Sequence, residues 1–134
     1  MPLLEGNDEH ILIAEDDDLV KKHLESQLRL LGYHVTAVAS GPEALNILKV
    51  RDDIGLLLTD IIMPGGMNRR ELADQARSFY PLLIVLFTSG YSENTIVHKG
   101  RLDPGVELLT KPYDRLELAR KVRRLLDKEL AVSN

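Results

Sequence analysis

Residues 10–32 read HILIAEDDDLVKKHLESQLRLLG, and this stretch decides the fold. His10-Ile11-Leu12-Ile13-Ala14, with four apolar residues after the histidine, forms a short run of the kind that makes a strand buried on both faces. An acidic turn, Glu15-Asp16-Asp17-Asp18, follows at once. Val20, Leu24, Leu28 and Leu31 then recur at spacings of four and three, which place them on one face of a helix. Gly32 stands where a left-handed C-cap would close that helix. One strand, one loop and one helix thus occupy little more than twenty residues.

The same unit recurs along the chain. Tyr33–Val38 reads as a strand, and Ser40-Gly-Pro-Glu43 has the capping-box form with a proline in the first turn, opening a helix through Ile47 and Leu48. Ile54–Thr59 is a third apolar strand, and Asp60-Ile-Ile-Met-Pro64-Gly-Gly-Met67 is a punctuated loop. Asn68 with Glu71 suits the start of a helix running to about Phe79, which Pro81 ends. Leu82–Thr88 is a fourth strand, and a short helix is expected after Ser92. Val106–Thr110 is the fifth strand, and Asp114 with Glu117 caps a last helix carrying Leu118, Val122, Leu125 and Leu126. Five strands alternating with five helices predict an α/β fold: a doubly wound parallel sheet with helices on both faces. Right-handed crossovers collect every strand-to-helix loop at the carboxyl edge, where such sheets bind ligands.

Composition narrows the class. The chain has 134 residues, the size of one ordinary domain, with 44% hydrophobic residues, enough for a core. It has no cysteine, which excludes disulfides and thiolate metal sites and suits a reducing, cytoplasmic setting. Lys+Arg 17 against Asp+Glu 21 gives a net charge of −4, which argues against a nucleic-acid-coating or membrane-surface role. The apolar runs fall well short of the ~20 residues of a membrane-spanning helix. Residues 1–9 read as a polar lead, 10–130 as the domain and 131–134 as a tail.

Four strand ends bring polar groups to the predicted edge: Glu15 and Asp16, then Asp60, then Thr88, then Thr110 with Lys111. Clustered carboxylates without cysteine or nearby histidine suit hard, oxygen-liking Mg2+, which takes one or two carboxylates, several waters and a phosphate. A lysine and a hydroxyl aimed at the same point complete a cradle for phosphoryl oxygens. Each feature alone has a plainer reading: a solvated helix start for residues 15–18, a turn aspartate, a backbone-bonded threonine, a surface lysine. Their coincidence at one edge favours a site. His10, His23, His34 and His98 lack metal-ligand spacing and read as solvated or satisfied residues. The basic run Arg115, Arg120, Lys121, Arg123 and Arg124 reads as a solvated face of the last helix rather than a DNA contact, since no helix-turn-helix follows.

The chain resembles the receiver domains of response regulators in two-component signalling. The resemblance rests on ILIAEDD (11–17), LLLTDIIMPGGM (56–67), VLFTSGY (85–91) and LLTKPY (108–113), and covers about His10 to Leu130. The stretches FTSGYSEN and GRLDPGVELLTKP further resemble receivers associated with hybrid sensor histidine kinases. The resemblance implies the flavodoxin-like strand order 2-1-3-4-5. It also implies Asp60 as phosphoacceptor, with Thr88 and Lys111 contacting the phosphoryl group. Mg2+ would be held by Asp16 directly, by Glu15 through water, by Asp60, and by the backbone carbonyl of Ile62. A cis Lys111–Pro112 bond is a further family feature.

The implied partner is a sensor histidine kinase or a histidine phosphotransfer protein, with no direct DNA binding and no membrane insertion. The chain is expected to catalyse its own phosphorylation and dephosphorylation without being a turnover enzyme. Two other classes stay open: a non-phosphorylated interaction module on the same fold, and a Mg2+-dependent phosphohydrolase. The latter would want a second carboxylate where Ile62 stands. Leu108 occupies a position where the family often carries Tyr, Phe or His, so coupling through a rotating ring is not expected. Ile62 and Gly90 replace polar side chains that influence water attack on the phosphate in many relatives.

Overall fold

A computed structural model describes residues 9–60, 69–81, 83–89, 106–110 and 114–133. Its elements run β1 (His10–Ala14), α1 (Asp18–Leu30), β2 (His34–Val38), α2 (Gly41–Val50), β3 (Ile54–Asp60), α3 (Arg69–Phe79), β4 (Ile84–Ser89), β5 (Val106–Thr110) and α4 (Arg115–Ser133). The five strands form one sheet in the order β2-β1-β3-β4-β5, with every neighbouring pair parallel. This is the doubly wound α/β architecture expected from the sequence. Four helices lie among the described residues; the short helix expected after Ser92, the Asn68 cap and the Lys111–Pro112 bond lie outside them.

The alternation of side chains along each strand divides the core in two. Ile11, Ile13, Leu56, Leu58, Ile84 and Leu86 face one way and pack with Leu24 and Leu28 of α1 and with Leu118, Val122, Leu125 and Leu126 of α4. Leu12, Ala14, Leu57, Val85 and Phe87 face the other way, against Ala44, Leu45 and Leu48 of α2 and Leu72, Ala73 and Ala76 of α3. Apolar residues on both faces explain why the strands read as continuous hydrophobic runs. Truncating a central one such as Leu58, which is 1% exposed, would cost about 2–5 kcal/mol.

Local chemistry sets the helix ends. Asp17 caps α1, its Oδ1 accepting from the amides of Leu19 and Val20, both at 3.0 Å. Gly32 takes φ 96°, the left-handed conformation that lets the chain turn from α1 into β2. Ser40 caps α2, its Oγ accepting from the Glu43 amide at 3.3 Å while Glu43 Oε2 accepts from the Ala39 amide at 3.2 Å; Asp114 and Glu117 form a capping box, their amides donating to Glu117 Oε1 (3.3 Å) and Asp114 Oδ1 (2.8 Å) respectively. β4 begins two residues later than the apolar run suggests. There the amide of Leu83 bonds the carbonyl of Tyr80, so the chain is still turning where the sequence is already strand-like.

One sequence expectation is overturned. Arg123 is not part of a solvated basic face; it is only 7% exposed. Its guanidinium donates to Glu9 at 3.2 and 2.5 Å and to Asp127 at 3.1 Å, which ties the start of the described chain to α4. Helical periodicity carries no information about a partner 114 positions away, so the residue looked like its solvated neighbours. Beside this group the buried Tyr33 phenol is pushed up to about 12, chiefly by desolvation.

Candidate functional site

Strand register determines which residues meet at the carboxyl edge. Ala14 pairs with Thr59 and Asp60 with Thr88, so Glu15, Asp60 and Thr88 follow one another across adjacent strands. Neighbouring strands lie roughly 4.8 Å apart, which brings the carboxyl of Asp60 and the hydroxyl of Thr88 into one neighbourhood. On the far side Ser89 pairs with Thr110, so the chain leaves β5 beside the end of β4. Four strand ends therefore share this edge, as the sequence reading required.

Each acid is held differently. Glu15 continues the ladder beyond β1, its amide bonding the carbonyl of Val38 at 3.0 Å. Its side chain is buried, at 3% exposed, and Oε2 accepts from the Asp17 amide at 3.0 Å. The loop backbone thus fixes the orientation of this carboxylate. Asp16 is exposed, and Asp60 is half-buried at the last position of β3. Thr88 is buried, at 1% exposed. Thr59 is a neighbour that sequence reasoning passed over: its buried hydroxyl donates to the Asp60 carbonyl at 3.3 Å, bracing the backbone that presents Asp60. A hydroxyl residue directly before the strand-end aspartate was the available signal.

Asp17, read from the sequence as helix-start charge, is the N-cap of α1 and supplies the amide that holds Glu15. Lys111 and Ile62 lie outside the described residues, so their places in the site are not described. Leu108 pairs with Phe87 in the register of β4 and β5. Among the described residues, no three Asp, Glu, His or Cys side chains gather closely enough to form a metal cage by themselves. The donors that are described are carboxylates, with Glu15 buried and fixed on the strand next to Asp60. Such a set fits Mg2+, which usually takes one or two carboxylates and keeps several waters. It does not suit a softer metal that prefers nitrogen or sulfur.

A five-stranded parallel sheet in the order 2-1-3-4-5, with Glu15 just after the first strand, Asp60 ending the third and the buried Thr88 next to the last residue of the fourth, defines a doubly wound α/β class that binds ligands at this edge. Comparison with known proteins makes this specific: the response regulator receiver domain pattern matches residues 11–123, and the chain belongs to that family. The receiver protein CpdR of Brucella abortus (strain 2308) is 33% identical over 116 residues, covering 87% of this chain and 95% of that protein. The sensor kinase CckA of the same organism is 31% identical over 120 residues, 89% of this chain but only 13% of the kinase. The crystal structure of the receiver domain from the hybrid histidine kinase CckA superposes with a TM-score of 0.72 at 35% identity, covering 87% of this chain and 98% of that one. A receiver protein from Sinorhizobium medicae WSM419 gives a TM-score of 0.80 at 29% identity, with 92% and 98% covered. The chain is thus a response regulator receiver domain of two-component signalling, similar both to a free-standing receiver and to one carried by a hybrid kinase. Among the described residues no helix is long and apolar enough to cross a membrane.

Proposed function

We propose that this receiver domain is the phosphoacceptor of a phosphorelay, taking a phosphoryl group from a phosphohistidine onto Asp60. The observation that carries the reading is the register: Asp60 stands beside Thr88, and the buried, backbone-fixed carboxylate of Glu15 follows on the neighbouring strand. A carboxylate oxygen of Asp60 attacks phosphorus as the P–N bond to the donor histidine, protonated on its other ring nitrogen, breaks, leaving an aspartyl phosphate and a neutral imidazole. The hydroxyl of Thr88 hydrogen-bonds the transferred group, and the ammonium of Lys111 pairs with its oxygens. Asp16 and Asp60 with the carbonyl of Ile62 would hold Mg2+ directly, and Glu15 through water. When bound, the ion would neutralise charge on the phosphoryl oxygens.

Similarity to the CckA receiver supports a sensor histidine kinase or histidine phosphotransfer protein as donor. Acquired negative charge then draws Thr88 inward and shifts a pre-existing equilibrium between partner-binding states. The reaction is a single transfer and eventual hydrolysis, without turnover of an external substrate, and it takes place in the cytoplasm.

The test is labelling from a phosphodonor. Asp60→Asn is expected to lose all uptake of label while keeping the native circular dichroism spectrum. Equal labelling of that variant removes Asp60 from the role. Absence of labelling in the unaltered chain favours an interaction module that does not use phosphate.

A further inference from the structure

At the amino edge of the sheet, opposite the phosphoacceptor, a second group of polar side chains converges. His10 opens β1 and Arg51 follows α2. Asp53 lies in the connection to β3, and Thr36 is in β2. Arg51 grips Asp53 through two bonds, Nε to Oδ1 at 2.9 Å and Nη2 to Oδ2 at 2.6 Å. The same Nη2 lies 3.1 Å from His10 Nδ1, and Nη1 is 3.4 Å from Thr36 Oγ1. On the other side of the imidazole, Nε2 lies 2.8 Å from Thr36 Oγ1.

These contacts fix the protonation of the ring. A guanidinium has donors and no acceptor, so Nδ1 must be the accepting nitrogen and the ring hydrogen must sit on Nε2, donated to Thr36. The fold therefore holds His10 as the neutral Nε2–H tautomer. An added proton would go to Nδ1, where it would face the N–H groups of Arg51 at 3.1 Å. Asp53 Oδ2, however, is already 3.7 Å from Nδ1. Among the described residues, the ring also faces the ionisable His34 on β2, its centroid 6.1 Å away. The third strand element beside His10 contributes Ile54, which is apolar, and the register there skips Gly55.

We propose that His10, Arg51 and Asp53 form an acid-operated exchange: protonation of His10 at Nδ1 transfers Asp53 from Arg51 to His10 and releases the Arg51 guanidinium. The proton comes from solvent and occupies the lone pair that had accepted from Arg51. The bond from Arg51 to Nδ1 and the two bonds from Arg51 to Asp53 are broken, a charge-assisted bond from Nδ1–H to Asp53 forms, and the freed guanidinium N–H groups turn to water. The balance of neighbours agrees with this sense. Burial first, then Arg51, holds the imidazole below the ordinary histidine value, while Asp53 pulls it the other way. Released, Arg51 moves at the rim of a cavity of about 1020 Å3 that it lines together with Lys49, Phe79 and Tyr80. Its backbone carbonyl still accepts the Tyr80 hydroxyl, so the ends of α2 and α3 remain joined while the side chain changes partner.

Nitrogen NMR of the full chain reads both halves of the exchange. At pH 8 the His10 ring is expected as the Nε2–H tautomer, with a protected Arg51 Nε–H. As the pH falls through the His10 midpoint, Nδ1 gains its proton and the Arg51 Nε–H signal loses protection in step. Arg51→Gln should move the midpoint to higher pH and Asp53→Asn to lower pH. An Nδ1–H tautomer at pH 8, an Arg51 signal indifferent to the titration, or midpoints unmoved by the substitutions would each overturn the exchange. If one variant fails to fold, the titration of the unaltered chain and the other variant still decide.

Discussion

The two edges of the sheet handle charge in opposite ways. At the amino edge, opposite charges pair: Arg123 with the distant Glu9 and with Asp127 one helical turn on, and Arg51 with Asp53 two residues away. At the carboxyl edge, like charges follow one another: Glu15, Asp16 and Asp17 in one turn, and Asp60 on the adjacent strand. The first pattern stabilises the fold without further help. The second places like charges near one another, an arrangement that a divalent cation would favour.

Substitutions at the two edges should therefore behave differently. Arg123→Ala at the amino edge removes the partner of Glu9, whose carboxylate is largely buried, and is expected to destabilise by about 3 kcal/mol in urea unfolding. A loss below about 1 kcal/mol would show that the pair is no stronger than a surface contact. At the carboxyl edge, Asp17→Ala removes the α1 cap and should cost about 1 kcal/mol. Asp17→Asn keeps a capping oxygen while removing one of the crowded charges, so stability is expected to hold or rise. If Asn is as damaging as Ala, crowding of charge at that edge is not the relevant term.

The smallest effect is the pH dependence contributed by His10. The fold lowers the proton affinity of this imidazole, so the unfolded chain binds more protons as the pH falls below 6.5. Its contribution should be flat above that value and destabilising as pH falls through 6.5 toward the folded midpoint. His10→Gln should flatten this part of the stability profile, measured as urea midpoints between pH 8 and 5.

Sequence legibility divided along the same line. β5 and the caps at Ser40 and Asp114 could be read directly, because apolar runs and capping patterns are local, whereas Asp17 was read only as helix-start charge and is the cap of α1. The polar groups at the carboxyl edge were legible too, since parallel topology alone sends every strand end there. Arg123 was misread because its partner is Glu9, at the far end of the sequence. The His10–Arg51–Asp53 group was equally hidden; His10 could be read as satisfied, but not by what, since Arg51 lies 41 positions away. Thr59 was overlooked because a threonine inside an apolar strand looks like ordinary β-branched filling until its hydroxyl is placed.

On the proposed function, Asp60 accepts a phosphoryl group with the help of a divalent cation. Intact-mass analysis after incubation with acetyl phosphate, with and without Mg2+, followed by peptide mapping, tests it most directly. The expected result is the added mass of one phosphoryl group, located on Asp60, only when Mg2+ is present. No gain under either condition, equal gain without the metal, or a gain mapped elsewhere would contradict it.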